Sequence, residues 1–333
     1  MISKRTPLLL LIPLLAGPPA RSAGFIGAID MNALIEIQAQ LREVAQTPQK
    51  TADPLVIPDV GFGDKKAARY RYRRRDEIFY LEGGKRPVTV GWETSDVVET
   101  SDGDVERLLS VEPGTPPSAQ AAAALAREQA KVGAEAARLT RLLADADAKA
   151  KLQRKERSDE EGLEKMVDEF PRALRYAYEG TEQGPGGELL VRESFESNDC
   201  SHTPHVDPCF TPRSQEARIY EGMKGEIWVR ARDKHMVRMH TVIDHDVKFG
   251  WGPFTAKAKQ GGSIDIGLTD VDGAGRRWVI DSVDVHLTVE KSALAALFSG
   301  GTERDHDRQA MSGFVPAPAM DFDSGLRLLL KGN

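Results

Sequence analysis

Two thiols and two imidazoles lie within one ten-residue stretch, Cys200-Ser201-His202-Thr203-Pro204-His205-Val206-Asp207-Pro208-Cys209. Such a donor set is the kind that holds a structural zinc ion. The spacing is not a familiar zinc-finger spacing. The chain carries 2 cysteines, and a close pair in an oxidising compartment usually forms a disulfide. The reading is therefore a Cys200–Cys209 bridge, with a metal site or free thiols as the alternatives. The enclosed loop is short and rich in turn residues, so the bridge would staple a local loop and not the fold.

The remaining chemical residue types are scattered. His235, His240 and His245 recur at intervals of five. Successive strand residues face opposite sides, so His235 and His240 cannot share an ion without a bulge. They read as surface or sheet histidines. Asp270-Val271-Asp272-Gly273 opens like a calcium loop but lacks the later acidic ligands, and reads as a hairpin turn. No Gly-x-Ser-x-Gly elbow, His-Glu-x-x-His helix, phosphate loop or dinucleotide fingerprint is present. The expectation is a non-enzymatic protein with no catalytic residue, metal site or cofactor.

Aromatic residues and glycines instead gather at Phe249-Gly250-Trp251-Gly252-Pro253-Phe254 and Gly261-Gly262. Glycine lets a strand bend or a backbone approach closely. A curved sheet with aromatic residues on its inner face would make an apolar cleft; an ordinary core corner is the plainer alternative. Trp228, Phe249, Trp251 and Phe254 are the candidate ligand-binding residues.

The elements that must position these groups are mostly strands. Tyr70 and Tyr72 alternate with arginines, and 78–81, 88–92 and 105–111 follow as short strands with turns between them. In the second half, 174–178 pairs with 188–195, and 226–229 with 237–243. Ile264, Ile266 and Leu268 alternate with polar residues, and Val279 to Val289 make a long last strand. Strict alternation means that one face is buried. Helices interrupt this pattern. Asp30 caps a stripe of Leu34, Ile37, Leu41 and Val44. Ser118 opens an Ala-rich charged stretch to residue 157 with few large apolar residues, expected to project into solvent at least in its middle. Ser158 and Glu161 form a capping box before Leu163, Met166, Val167 and Phe170. The class is α+β, with helices on one side of an antiparallel sheet.

Composition sets the compartment and the partners. Met1-Ile2-Ser3-Lys4-Arg5 is a basic start, Leu8–Ala16 an apolar run, and Ser22-Ala23-Gly24 a small-residue end. That is the layout of a secretory signal peptide over 1–23. The run is shorter than the about 20 residues that span a bilayer; an N-terminal anchor is the alternative. No cysteine lies near the cut, which excludes lipoprotein processing. The expected location is periplasmic or secreted, with no transmembrane span in the mature chain. A net charge of −6 makes nucleic acid a poor partner. The mature chain divides into one domain over 24–298 and an irregular, disordered tail over 299–333, with Leu326–Leu330 as a short docking element.

The second half resembles a group of uncharacterised exported bacterial proteins through 220–229, 247–254, 261–266 and Trp278. More distantly it looks like the LolA/RseB-like half-barrel of periplasmic lipoprotein carriers. That resemblance implies a curved antiparallel sheet wrapped around helices, able to enclose an apolar cavity. The long helix of 118–157 and the Cys–His loop depart from the carrier pattern. The shared motifs are structural, so no site residue is carried over from it. The function it implies is binding of an apolar ligand, such as a lipid or lipoprotein acyl chain, or of a protein segment. The alternative is a scaffold that contacts an envelope protein through the long helix; a hydrolase ranks third.

Overall fold

Alternation along Arg69–Glu82 places Tyr70 and Tyr72 in the core and their arginine neighbours outside it, and this stretch is the first strand of a single antiparallel sheet. The computed structural model describes residues 69–82, 86–116, 118–155, 169, 172–200, 209–212, 216–232, 236–251, 254–271, 278–291 and 302–331. The signal sequence, the helix read at 31–45, the capping box at 158–161, the loop 201–208, His235 and the turn at 272–275 lie outside these residues.

The strands are β1 (Arg69–Glu82), β2 (Arg86–Thr100), β3 (Gly103–Pro113), β4 (Leu174–Gln183), β5 (Leu189–Ser197), β6 (Met223–Arg230), β7 (Met236–Ile243), β8 (Val247–Trp251), β9 (Phe254–Ala258), β10 (Ser263–Asp270), β11 (Trp278–Lys291) and β12 (Thr302–Ala317). Their order across the sheet is β3-β2-β1-β12-β11-β10-β7-β6-β5-β4, and β9, carrying β8, lies beside the far end of β11. The sheet is curved and not closed, and every named strand pair is antiparallel. The helices named here are α1 (Ala119–Ala144) and α2 (Phe322–Lys331), and a 3-10 turn, Glu216–Gly222, precedes β6. This is an α+β architecture dominated by sheet.

One register row crosses almost the whole sheet. Glu193, Ile227, Met239, Ile266, Val283, Gln309, Asp76 and Glu93 are successive partners from β5 to β2. Directly opposed residues share a face, so this row defines one, called here the inner face. It carries the main core, in which Ile227, Met239, Ile264, Val285 and Leu287 are buried and Val237 and Ile266 pack against them. The alternation read over β6, β7 and β10 is thus the alternation of the core.

Two expectations are corrected. The segment from 299 onward is not an irregular tail: 302–317 forms β12, hydrogen-bonded between β1 and β11 at the middle of the sheet. Its inward residues include Asp307 and Gln309, both buried, so the strand lacks the apolar alternation that marks one. The last strand is therefore β12 and not β11. After it, α2 buries Phe322, Leu326 and Leu329 against Val98 and Val105.

The Ala-rich stretch also differs from its reading. Ser118 caps α1, its hydroxyl accepting from the Ala121 N–H at 3.2 Å. The helix stops at Asp145, which is extended, and Asp145 Oδ1 accepts from the Ala148 N–H at 2.9 Å to start a second helical stretch over 146–155. The stripe is sparse but sufficient: Leu139 is buried with α2, and Ala121 and Leu125 pack on Ile78 and Val90. So α1 lies along the sheet, and does not stand away from it. Among the described residues, no helix is long and apolar enough to cross a membrane.

Candidate functional site

The inner face changes character along its rows. From β6 to β11 it is mainly apolar, with Thr241 the buried polar residue of β7, and Glu193 is buried on β5. On β1, β2, β3 and β12 it carries Asp76, Glu93, Glu99, Asp104 and Asp307, all buried, with Glu106 half-buried. Arg74 sits among them, 3% exposed. Its Nε donates to Asp76 at 3.1 Å and its Nη2 lies 2.7 Å from Glu106. Burial works against the Arg74 charge, but Asp76 and Glu106 outweigh it and hold its pKa well above the usual value. Asp76, Glu93 and Glu106 bring one carboxylate oxygen each to within 4.8 Å of one another. The guanidinium already serves as the cation of that group.

Glu99 is the perturbed carboxyl of this end. Burial pushes it up to about 8, although the Tyr70 N–H donates to its Oε2 at 2.9 Å and Arg69 lies near. At neutral pH it is mostly protonated and able to donate. The neighbouring Tyr72 phenol is raised first by burial and then by Asp104 and Glu99. Arg74 and the protonated Glu99 thus offset part of the charge of this acidic end.

Of the sequence-derived ligand residues, Phe249 and Trp228 lie on different faces of the sheet. Phe249 is buried within the main core. Trp228 is also buried, but on the opposite face: it lies between Arg192 and Arg238 in register, and the Arg238 guanidinium covers its ring at 3.7 Å. Its neighbours Ile227 and Val229 are the ones that point into the core. Trp251 and Phe254 are paired at the end of the β8–β9 hairpin. The parity of Trp228 beside Ile227 was the signal that separates it from Phe249.

The cysteines form the expected disulfide, Cys200–Cys209, with Cα atoms 5.0 Å apart. Beside it the Phe210 N–H donates to the Asn198 carbonyl at 2.7 Å, and the Cys200 N–H to the Phe210 carbonyl at 3.2 Å. The bridge thereby holds Phe210 where its ring enters the core. His240 is a sheet histidine, as expected, its Nδ1 2.7 Å from Asp265. Asp270 faces Arg230 at 3.4 Å, the contact of an ion pair and not of a calcium loop.

The outer face carries its own row: Glu226, His240, Asp265, Asp284 and Arg308 are successive register partners from β6 to β12. One pair further along, His286 faces His306. Asp284, His286 and His306 bring one ligand atom each to within 4.8 Å of one another. Local spacing could not reveal this group, because His286 and His306 meet only through the pairing of β11 with β12. Comparison with family models, curated proteins and solved structures finds no match to this chain.

Proposed function

We propose that this chain is an exported, non-enzymatic binding protein of the cell envelope that takes an apolar ligand, a lipid moiety or an apolar protein segment against its curved sheet. The observation that carries the reading is the mainly apolar inner face from β6 to β11, built on Ile227, Met239, Ile264, Val283 and Val285. Apolar surface of this kind binds without catalytic groups. Export is supported by the basic start, apolar run and small-residue end of 1–23, and the disulfide fits an oxidising compartment. The LolA/RseB-like resemblance agrees with an open, curved antiparallel sheet.

A second reading has one observation in its favour. The inner side chains are already buried by the protein's own atoms, Ile227 and Ile264 to 2% and 1% exposure. A sheet so filled acts as a scaffold, and the partner would then be an envelope protein met by the exposed side of α1. Two measurements separate the readings. Native mass spectrometry of the protein isolated from its own envelope should show added lipid mass and an N-terminus near Gly24. Titration with a fluorescent fatty-acyl probe should saturate. Binding of neither lipid nor probe rejects the carrier and leaves the scaffold; an intact Met1 on the native protein rejects export.

A further inference from the structure

The outer face holds three side chains whose arrangement is that of an unfinished coordination shell. His286 and His306 are direct partners across β11 and β12, and their rings lie edge to face with centroids 3.7 Å apart. Asp284, two residues before His286, shares its face by strand alternation. The Asp284 Oδ1 lies 2.8 Å from the His286 Nε2, yet that oxygen makes no hydrogen bond. The two atoms are close without being aligned for a shared proton. Neither ring nitrogen of His306 has a hydrogen-bond partner among the described residues, and both are shielded from solvent. Unpaired buried polar nitrogens are costly and need an explanation.

The surroundings fix the set. Arg308 Nε donates to the other Asp284 oxygen, Oδ2, at 2.8 Å, which turns Oδ1 towards the histidines. Phe79 packs against the His306 ring at 3.8 Å between centroids. Among the described residues, no hydrogen bond occupies either His306 nitrogen. This separates the group from Asp76, Glu93 and Glu106, where a guanidinium occupies the centre.

We propose that Asp284, His286 and His306 bind a zinc-type divalent cation through two imidazoles and one carboxylate, with a fourth position open to water. Ligand atoms around tetrahedral zinc sit about 2.0–2.2 Å from the metal, hence roughly 3.4 Å from one another. Atoms already within 4.8 Å reach that arrangement by side-chain adjustment alone. Asp284 is held by Arg308 from outside the shell, as such carboxylates commonly are. The site lies on the face opposite the apolar one, so it is independent of the carrier reading. It also revises the expectation from sequence that the chain has no metal site.

The test uses the full mature chain with its disulfide intact. Titration with zinc by calorimetry should show one equivalent bound, and cobalt at the same site should give the visible absorption of a tetrahedral ion. His286→Gln and His306→Gln should each weaken binding by at least about tenfold, since loss of a direct ligand exceeds the effect of losing an outer one. His286 is 40% exposed, so its replacement is expected to fold. Zinc should also shift the ring resonances of both histidines in the unaltered protein, a readout that needs no variant. Absence of zinc binding by the unaltered protein overturns the proposal. So does uptake that neither replacement weakens.

Discussion

At the scale of single residues, the sharpest consequence lies in Glu99. Its folded pKa stands near 8, raised mainly by burial. The unfolded chain should titrate in the ordinary range, about 4.3. A carboxyl raised on folding contributes stability that is complete below the unfolded value. That contribution is lost as pH rises through the folded value, because ionising Glu99 in place then opposes burial. Glu99→Gln keeps an oxygen to accept from the Tyr70 N–H and removes the titration. The replacement should therefore flatten the loss of thermal stability between about pH 5 and pH 9, and raise the midpoint relative to the parent at the alkaline end. Thermal unfolding across that range checks it; an unchanged pH profile would show that Glu99 is ionised in the folded state. Nothing in the sequence marks Glu99. Its burial follows from the register of β1 on β2, which sets it beside Tyr70, and from the facing of both into the core. The disulfide was legible because two cysteines nine apart have few options, whereas the histidine pair was not, because its members are joined only by strand pairing.

At the scale of elements, α1 solves a problem that the sheet creates. β3 ends the sheet, and an edge strand presents unpaired backbone groups to any other chain. The Leu108 N–H donates to Glu135 Oε1 at 3.0 Å, and the Arg138 Nη2 donates to the Glu106 carbonyl at 2.9 Å. Arg138 and Glu135 also pair with each other on adjacent turns of the helix. So two polar side chains of α1 cover the backbone of the edge, while Leu125 and Leu139 supply the apolar anchors. This explains why a helix with so few large apolar residues still docks, and why a count of apolar positions suggested that it would not. Glu135→Ala leaves the Leu108 N–H without this acceptor and should cost about 1–3 kcal/mol in urea unfolding. Arg141→Ala, on the exposed side of the same helix, should stay within about 0.5 kcal/mol. Equal losses in the two variants would mean that the helix is held by its apolar contacts alone.

At the scale of the whole molecule, the sheet was legible wherever apolar residues alternate along a strand, the acidic-faced β1, β2 and β3 included, and illegible in β12. Ile227, Met239 and Ile266 alternate with polar residues, and the strands that carry them were read directly from that pattern. β12 obeys the same geometry with Asp307, Gln309 and Met311 turned inward, and polar residues on both faces leave no period to read. Yet β12 joins the two halves: Asp76 on β1 and Val283 on β11 are both register partners of Gln309. Without it β1, β2 and β3 have no hydrogen-bonded path to β11, and their buried carboxyls would lose the shelter of the core. A chain ending at residue 298 should therefore fail to unfold cooperatively, as followed by circular dichroism against urea, and should self-associate through the newly opened edges of β1 and β11. A chain ending at Met320 keeps β12 and loses only α2. The buried Phe322, Leu326 and Leu329 are each worth about 1.5–3 kcal/mol, so this chain should remain folded but unfold at distinctly lower urea. If the chain ending at 298 instead retains the cooperative transition of the full protein, the central place of β12 is wrong. Two independent halves must then carry the stability.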